Sequence, residues 1–438
     1  MDYSFTNLYI AGILGILAAG YFYVSLKWFE AAIVVVILSP WISALFVYDM
    51  TENIGVSETT YGSYIRVSLL IFVGCISFVR YIQTKFKTHE ILPFEFKLLI
   101  LFVCLALGST FYSIDPFFTL VRAIPSLAFS LFLIAYYIWL TDIKKIETTL
   151  DLIFWLILII SLANFASLLL LGNRVWSVST SQRFSGLWAH PNMMGSFCMA
   201  SYPFIYWKFL RSKFNAKIYI IGLAAIMFLM HFLTGSRTSL LLSVFGISLY
   251  MILKRKIMSS IISLLIAVFG SILILIQPNF ITVFERESKS SDSITTLTGR
   301  TDIWEASYQL IKENAITGYG FSVEGKIFED YRFYNPELTI WSGSSRLSLH
   351  NGFISIIIGL GMFGLVIWII ILFVPYFRLL FFRDDNFRPP LISLMSMLFV
   401  SNFVESSISL GNSIHAVFFW FAWIIGSKVT RTKLMQTN

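Results

Sequence analysis

Residues 351–374 read NGFISIIIGLGMFGLVIWIIILFV, without one charged side chain in 24 positions. About 20 apolar residues are enough to cross the hydrocarbon core of a bilayer as a helix. Comparable runs lie at 7–26, 28–48, 63–83, 97–112, 119–140, 150–171, 193–208, 217–235, 238–254, 257–277, 390–404 and 410–427. Together they predict an all-α polytopic membrane protein with about 12–13 transmembrane helices. Composition agrees. Hydrophobic residues make up 57% of the 438 and charged residues 13%, about half the charged share of a soluble domain. So much apolar surface cannot be hidden from water in a globule of this size, which excludes a soluble enzyme, a disordered chain and a disulfide scaffold. Cys75, Cys104 and Cys198 all lie in apolar runs and are expected to be buried thiols.

Three segments follow: an N-terminal transmembrane bundle of about ten helices over 1–277, a long extracytoplasmic loop over 278–350, and C-terminal transmembrane helices with a short cytoplasmic tail over 351–438. The first apolar run has only Asp2 ahead of it and no basic segment, so it is not read as a cleavable signal. Alternate loops carry very different charge. One set holds nineteen Lys and Arg, among them Lys85, Lys144, Lys213, Lys254, Arg378 and Arg431, while the opposite short loops hold Arg174, Arg183 and Arg237. Basic loops stay cytoplasmic, so the long loop lies outside. The net charge of +8 is explained by those loops and does not call for a nucleic-acid partner. In the long loop, Asp302 and Glu305 have capping-box spacing, and Trp304, Tyr308 and Ile311 form a stripe at helical spacing. The stretch predicts a short amphipathic helix, either on the outer membrane face or packed on its own domain.

Arginine beside an apolar span is costly and is usually kept for pairing or function. Arg66, Arg122, Arg183, Arg237, Arg300 and Arg346 all fall on the extracytoplasmic side. Any one of them could snorkel to headgroups; six on the side poor in short-loop charge suggest a site for an anionic ligand. Phosphate suits the planar fork of arginine, which donates two parallel hydrogen bonds. Arg183 opens RFSGLWAHPNMMG, where Gly and Pro shape an entry into a helix next to His190 and Asn192. Arg237 lies in TGSRTS, another helix start, and Arg300 precedes Trp304. His350, in SLHNG with Asn351, ends the long loop where the next span begins. An imidazole there can take a proton from a sugar hydroxyl, or it can merely cap the helix. There is no HExxH, no close His/Cys cluster and no DxD-type carboxylate pair on the outer face; Asp115 and Glu405 near outer turns do not make a dyad. Metal or two-carboxylate catalysis is therefore unsupported, and no cofactor is implied.

Four segments in order, RFSGLWAHPNMMGSF, TGSRTSLLL, TGRTDIWEASYQLIKENAITGYGF and SLHNGFISIIIGLGMFGLVIW, resemble the O-antigen ligase and O-antigen polymerase superfamily, which includes exopolysaccharide polymerases. STFYSIDPFFTLVRAI is similar to the N-terminal half of the exopolysaccharide branch. The resemblance implies a GT-C-like membrane glycosyltransferase in a bacterial inner membrane, working on its periplasmic or extracellular face. Its donor would be an undecaprenyl-diphosphate-linked glycan, its acceptor a glycan or lipid A-core, and its associates a flippase and chain-length regulators. It also implies the roles: His350, Arg183 and Arg237 as catalytic residues, and Arg300, Arg122, Arg66, Arg346, Asn192, Asn351 and Trp304 as substrate-binding. A transporter or flippase for an anionic lipid-linked glycan is the alternative of a different class, and would want inverted repeats that the sequence lacks.

Overall fold

The computed structural model describes residues 29–48, 61–88, 92–177, 183–188, 190–256, 258, 300–328, 349–382, 384–405, 408–410 and 413–437. The expected span at 7–26, that at 257–277 save one residue, and Arg346 lie outside them. All eleven other expected spans are helices. In chain order the elements are α1 (Phe29–Tyr48), α2 (Tyr61–Thr88), α3 (Phe94–Gly108), α4 (Pro116–Trp139), α5 (Ile143–Leu170), the two-residue strands β1 (Trp176–Ser177) and β2 (Arg183–Phe184), α6 (Pro191–Arg211), α7 (Phe214–Leu233), α8 (Arg237–Leu253), α9 (Arg300–Glu313), α10 (Gly352–Phe381), α11 (Arg388–Ser401) and α12 (Ile414–Thr437).

Six of these helices hold segments long and apolar enough to cross a membrane: Tyr64–Gln83, Phe94–Phe111, Pro116–Trp139, Ile143–Leu170, Phe214–Leu233 and Gly352–Phe381. The short α11 and the less apolar α6 and α12 have a different environment. Residues 389–399 of α11 and 414–430 of α12 are buried almost without interruption, so these helices form the centre of the bundle and meet protein instead of lipid. Trp368, Trp420 and Trp423 stack edge-to-face there, with centroids 5.3–5.6 Å apart. One apolar cluster runs from Ala32 to Val429, so the C-terminal helices complete the same core as the N-terminal ones. The cysteines divide. Cys198 is buried as expected, but Cys75 and Cys104 are exposed, because they sit on outward faces of apolar helices.

Short links join α3 to α4, α4 to α5, α6 to α7 and α7 to α8. At the end with the basic loops, Lys208 pairs with Asp151 at 2.6 Å and Arg211 with Glu147. Glu95 on α3 is fully buried. Its two oxygens accept from Arg378 Nη1 of α10 at 2.8 and 2.9 Å, and one also accepts from Ser427 Oγ of α12 at 2.6 Å. Removing one partner of such a pair strands a charge in a low dielectric. Because the Arg378 side chain is 37% exposed, we expect Arg378→Ala to destabilise by about 3 kcal/mol, the low end for buried pairs. Thermal unfolding in detergent reads this loss, and Glu95→Gln in the same chain should recover part of it.

At the opposite end, α10 departs from the single helix expected at 351–374. Gly361 has φ 65° and ψ −171°, which breaks the helix about 14 Å from its start. Only glycine fits there, since a Cβ would strike the carbonyl of Ile316. The carbonyls freed by the break accept from a neighbouring segment: Tyr319 N donates to Ile358 O at 2.8 Å and Gly320 N to Gly359 O at 3.0 Å, while Met362 N donates to Ala315 O at 2.8 Å. Irregular backbone at this depth is tolerated because protein covers it.

The helix α9 exists, and its inward face differs from the sequence reading at Tyr308. Ile303, Ala306 and Leu310 are buried against Val323, Ile327, Leu349 and Ile358, whereas Tyr308 is 57% exposed. Of the expected stripe, Trp304 and Ile311 pack against this cluster and Tyr308 faces outward. The helix packs on its own loop and on α10, which is the second of the two expected arrangements. Asp302 falls inside the first turn of α9, so it is not the capping residue.

Candidate active site

Three links at the second end hold the reactive side chains. The first begins with the pairing of β1 and β2, in register Ser177 to Arg183. The following turn is clamped by Asn164 of α5, whose Oδ1 accepts from Leu187 N at 2.8 Å. Gly186, at φ 59°, fits beneath it because a side chain would collide with that amide. His190 then caps α6, its Nδ1 accepting from Asn192 N at 3.1 Å, with Pro191 at the first helical position. This brings Arg183 and Asn192 together: Arg183 Nη2 donates to Asn192 Oδ1 at 2.9 Å. Arg183 Nε donates to the carbonyl of Thr234 at 2.6 Å, across the second link.

That second link is the tight turn between α7 and α8. Thr234 Oγ1 donates to His231 O at 2.7 Å and accepts from Ser236 N at 3.2 Å, with Gly235 at φ 57°. Buried His231 lies between Tyr202 Oη and Ser239 Oγ, at 3.3 and 2.8 Å, so it ties α6, α7 and α8 together below the turn. Arg237 opens α8 at an exposed position.

The third link joins the start of α10 to the end of α11. Gly352 N donates to Asn402 O at 2.9 Å, and Asn351 Nδ2 to Phe403 O at 3.1 Å. Asn351 Oδ1 accepts from Phe353 N and Ile354 N, which caps α10. Both ends of this amide bond backbone, so Asn351 caps α10 and ties it to α11. His350, just before the cap, adopts φ 49°, and Trp304 Nε1 donates to the carbonyl of Leu349 at 2.9 Å. Trp304 thereby fixes the residue preceding the imidazole.

The stitched backbones bring His350 against Glu405. His350 Nδ1 lies 2.9 Å from Glu405 Oε2, with the two side chains 27% and 25% exposed. Glu405 Oε1 accepts from Asn192 Nδ2 at 3.4 Å. A continuous relay thus runs from Thr234 through Arg183, Asn192 and Glu405 to His350. Sequence reasoning passed over Glu405 as a lone acid. The signal was present: an acid in a Ser-rich turn closing an apolar helix needs a cationic or imidazole partner. Arg183 is only 6% exposed, and its bonds to Thr234 and Asn192 make it a strut.

A cavity of about 640 Å³ opens beside the relay. Asn192, Glu405 and His415 line one side. Arg66 of α2, Arg122 of α4, and Glu324 and Lys326 of the turn after α9 line another. Phe102, Phe321 and Trp368 supply ring faces. Arg183 and Arg237 do not line it. Arg300 begins α9, and its side chain lies outside the described residues. Among the described residues no group of three or more His, Cys, Asp and Glu could hold a metal ion.

Residues 222–369 match a protein-family model described as O-antigen ligase. Over that third of its length the chain is similar to the O-antigen ligase family. The match spans α7, α8, α9 and the start of α10, and so includes Arg237, His350 and the broken helix; Arg183, Asn192 and Glu405 fall outside it. No curated protein matches the chain. That similarity, with the six helices long and apolar enough to cross a membrane, supports a multi-pass membrane protein with a ligase- or polymerase-type role in glycan processing.

Proposed function

We propose that this protein transfers a glycan from a polyprenyl-diphosphate carrier to a sugar hydroxyl on the extracytoplasmic face of the plasma membrane. The observation that carries the reading is the His350–Glu405 pair, braced by Asn192 and Arg183 beside a membrane-embedded cavity. With Nδ1 committed to Glu405, the imidazole carries its proton on Nδ1 and Nε2 is the basic nitrogen. Nε2 removes the proton from the acceptor hydroxyl as its oxygen attacks the anomeric carbon. The bond from that carbon to the diphosphate breaks, and the diphosphate leaves with the electron pair. One base and no protein nucleophile mean a single displacement with inversion. Glu405 steadies the imidazolium that forms, and guanidinium groups offset the charge growing on the diphosphate. The loop charge bias supports an outward-facing site.

Within this class the Ser-Ile-Asp-Pro segment at 113–116 favours a polymerase, with the growing chain as donor, over a ligase to lipid A-core. Purified protein in liposomes with polyprenyl-diphosphate-linked oligosaccharide tests the reading. A new glycosidic bond is expected; leaflet exchange without bond formation would mean a flippase. Arg183→Lys retains the charge but cannot bridge Thr234 O and Asn192 in one plane. Misplacing a reacting group by about 1 Å costs roughly 10² in rate, and a loss of that order is expected with little change in thermal stability.

A further inference from the structure

One wall of the cavity is built from neutral polar side chains. Asn192 and Ser196 of α6, Ser409, Ser413 and His415 line it beside Glu405. Ser413 caps α12: its Oγ accepts from Ala416 N at 3.3 Å and its carbonyl from Val417 N at 2.9 Å. The same hydroxyl lies 3.0 Å from His415 Nε2. Its oxygen already accepts from the helix, so the hydroxyl proton goes to Nε2. The neutral ring then carries its own proton on Nδ1. That Nδ1–H is a donor without an acceptor among the described residues, on a side chain only 9% exposed.

Two hydroxyls on this wall are in the same condition. Ser196 is buried, yet among the described residues neither Ser196 Oγ nor Ser409 Oγ holds a hydrogen bond. Ser201, further along α6, shows the usual outcome, its hydroxyl donating to Phe197 O at 2.7 Å. Buried polar groups are nearly always paired, so three unpaired ones on the wall of one cavity point to a ligand. Their chemistry decides its class. The hydroxyls donate and accept, the imidazole N–H donates, and Glu405 accepts. A phosphate or carboxylate offers acceptors alone and would meet the charge of Glu405. A sugar ring offers several hydroxyls that each donate and accept. Its apolar face suits Met193, Ile408 and Leu410, which line the same wall. Glu405 belongs both to this wall and to the pair with His350, so a ring seated here stands next to the base.

We infer that His415, Ser196 and Ser409 form the subsite for the acceptor sugar. His415 Nδ1 donates to one hydroxyl of the ring while a neighbouring hydroxyl gives its proton to His350. Naming this sugar the acceptor rests on the transfer reading; the three side chains themselves lie outside the family-matched region. The test uses the full chain in liposomes, with a fixed amount of polyprenyl-diphosphate-linked oligosaccharide and a varied amount of the methyl glycoside of its terminal sugar. Saturation-transfer NMR in detergent reads binding of the same glycoside. His415→Phe fills the space without the donor. It should raise the KM for the glycoside about ten-fold, the upper range for a neutral hydrogen bond, and weaken its binding alike. The kcat, the pH profile and the binding of farnesyl diphosphate, an analogue of the carrier, should not change. His415→Asn places an amide N–H near the position of Nδ1 and should restore most of the affinity. If His415→Phe does not fold, Ser409→Ala, at a partly exposed position, should still raise the KM by about two-fold or more. Wild-type KM in the His415→Phe and Ser409→Ala variants would overturn the subsite. So would a fall in kcat with a shifted pH profile at unchanged KM, which would mark His415 as a support of the Glu405–His350 pair. Glycoside binding weakened as stated, with no glycosidic bond formed by the wild type, leaves the subsite standing and removes the transfer reading. Transfer with a KM indifferent to these side chains does the reverse.

Discussion

Alanine at His350 is expected to leave a protein that inserts and folds yet transfers glycan on the order of 10²–10⁴ times more slowly, the usual worth of a general base. The side chain is 27% exposed at the start of α10 and pairs with Glu405 Oε2 at 2.9 Å. The helix keeps its cap because Asn351, not His350, supplies it. Yield and length of product, measured at equal amounts of membrane-inserted protein, check the outcome. Wild-type transfer by the alanine variant would remove the proton-transfer role altogether.

The second large effect is expected at Glu405. Glu405→Gln keeps size and hydrogen-bonding capacity but removes the charge that balances an imidazolium, and its amide can donate as well as accept. The imidazole can then take the wrong tautomer, with Nδ1 as acceptor and the proton on Nε2, where the base must be. A loss of about 10²–10⁴ is expected, with binding of the carrier analogue unchanged. Groups that act as a unit are strongly non-additive. The double variant His350→Ala/Glu405→Gln should therefore be no slower than His350→Ala alone. Additive losses would mean that the carboxylate serves some step of its own.

Most of the architecture was legible because lipid demands long uncharged runs and loops of uneven charge, and both are local properties of the chain. Each expected span within the described residues is a helix. The orientation of side chains was less legible, for a physical reason. Next to lipid an outward face is as apolar as an inward one, so hydropathy could not tell that Cys75 and Cys104 point away from the core while Cys198 points into it. Tyr308 was misplaced because Tyr308 and Ile303 both suit an amphipathic stripe, and only the presence of Val323 and Ile358 decides between them. At the site, His350 and Arg183 were recognisable from their helix-start settings. Glu405 was not, since it lies 55 positions from its partner and reaches it only through the stitching of Asn402 and Phe403 to the start of α10. The capping role of Asn351 was not legible, because a capping amide and a ligand amide look alike in sequence.

The break at Gly361 bears on biosynthesis. Amide and carbonyl groups at Ile358, Gly359 and Met362 cannot stay bare in hydrocarbon, where each costs several kcal/mol. Their partners, Ala315 to Gly320, are translated just ahead of them. That order has the covering segment made before the interrupted span emerges. A circular permutation that moved residues 300–328 behind α12 would ask the same span to insert unprotected.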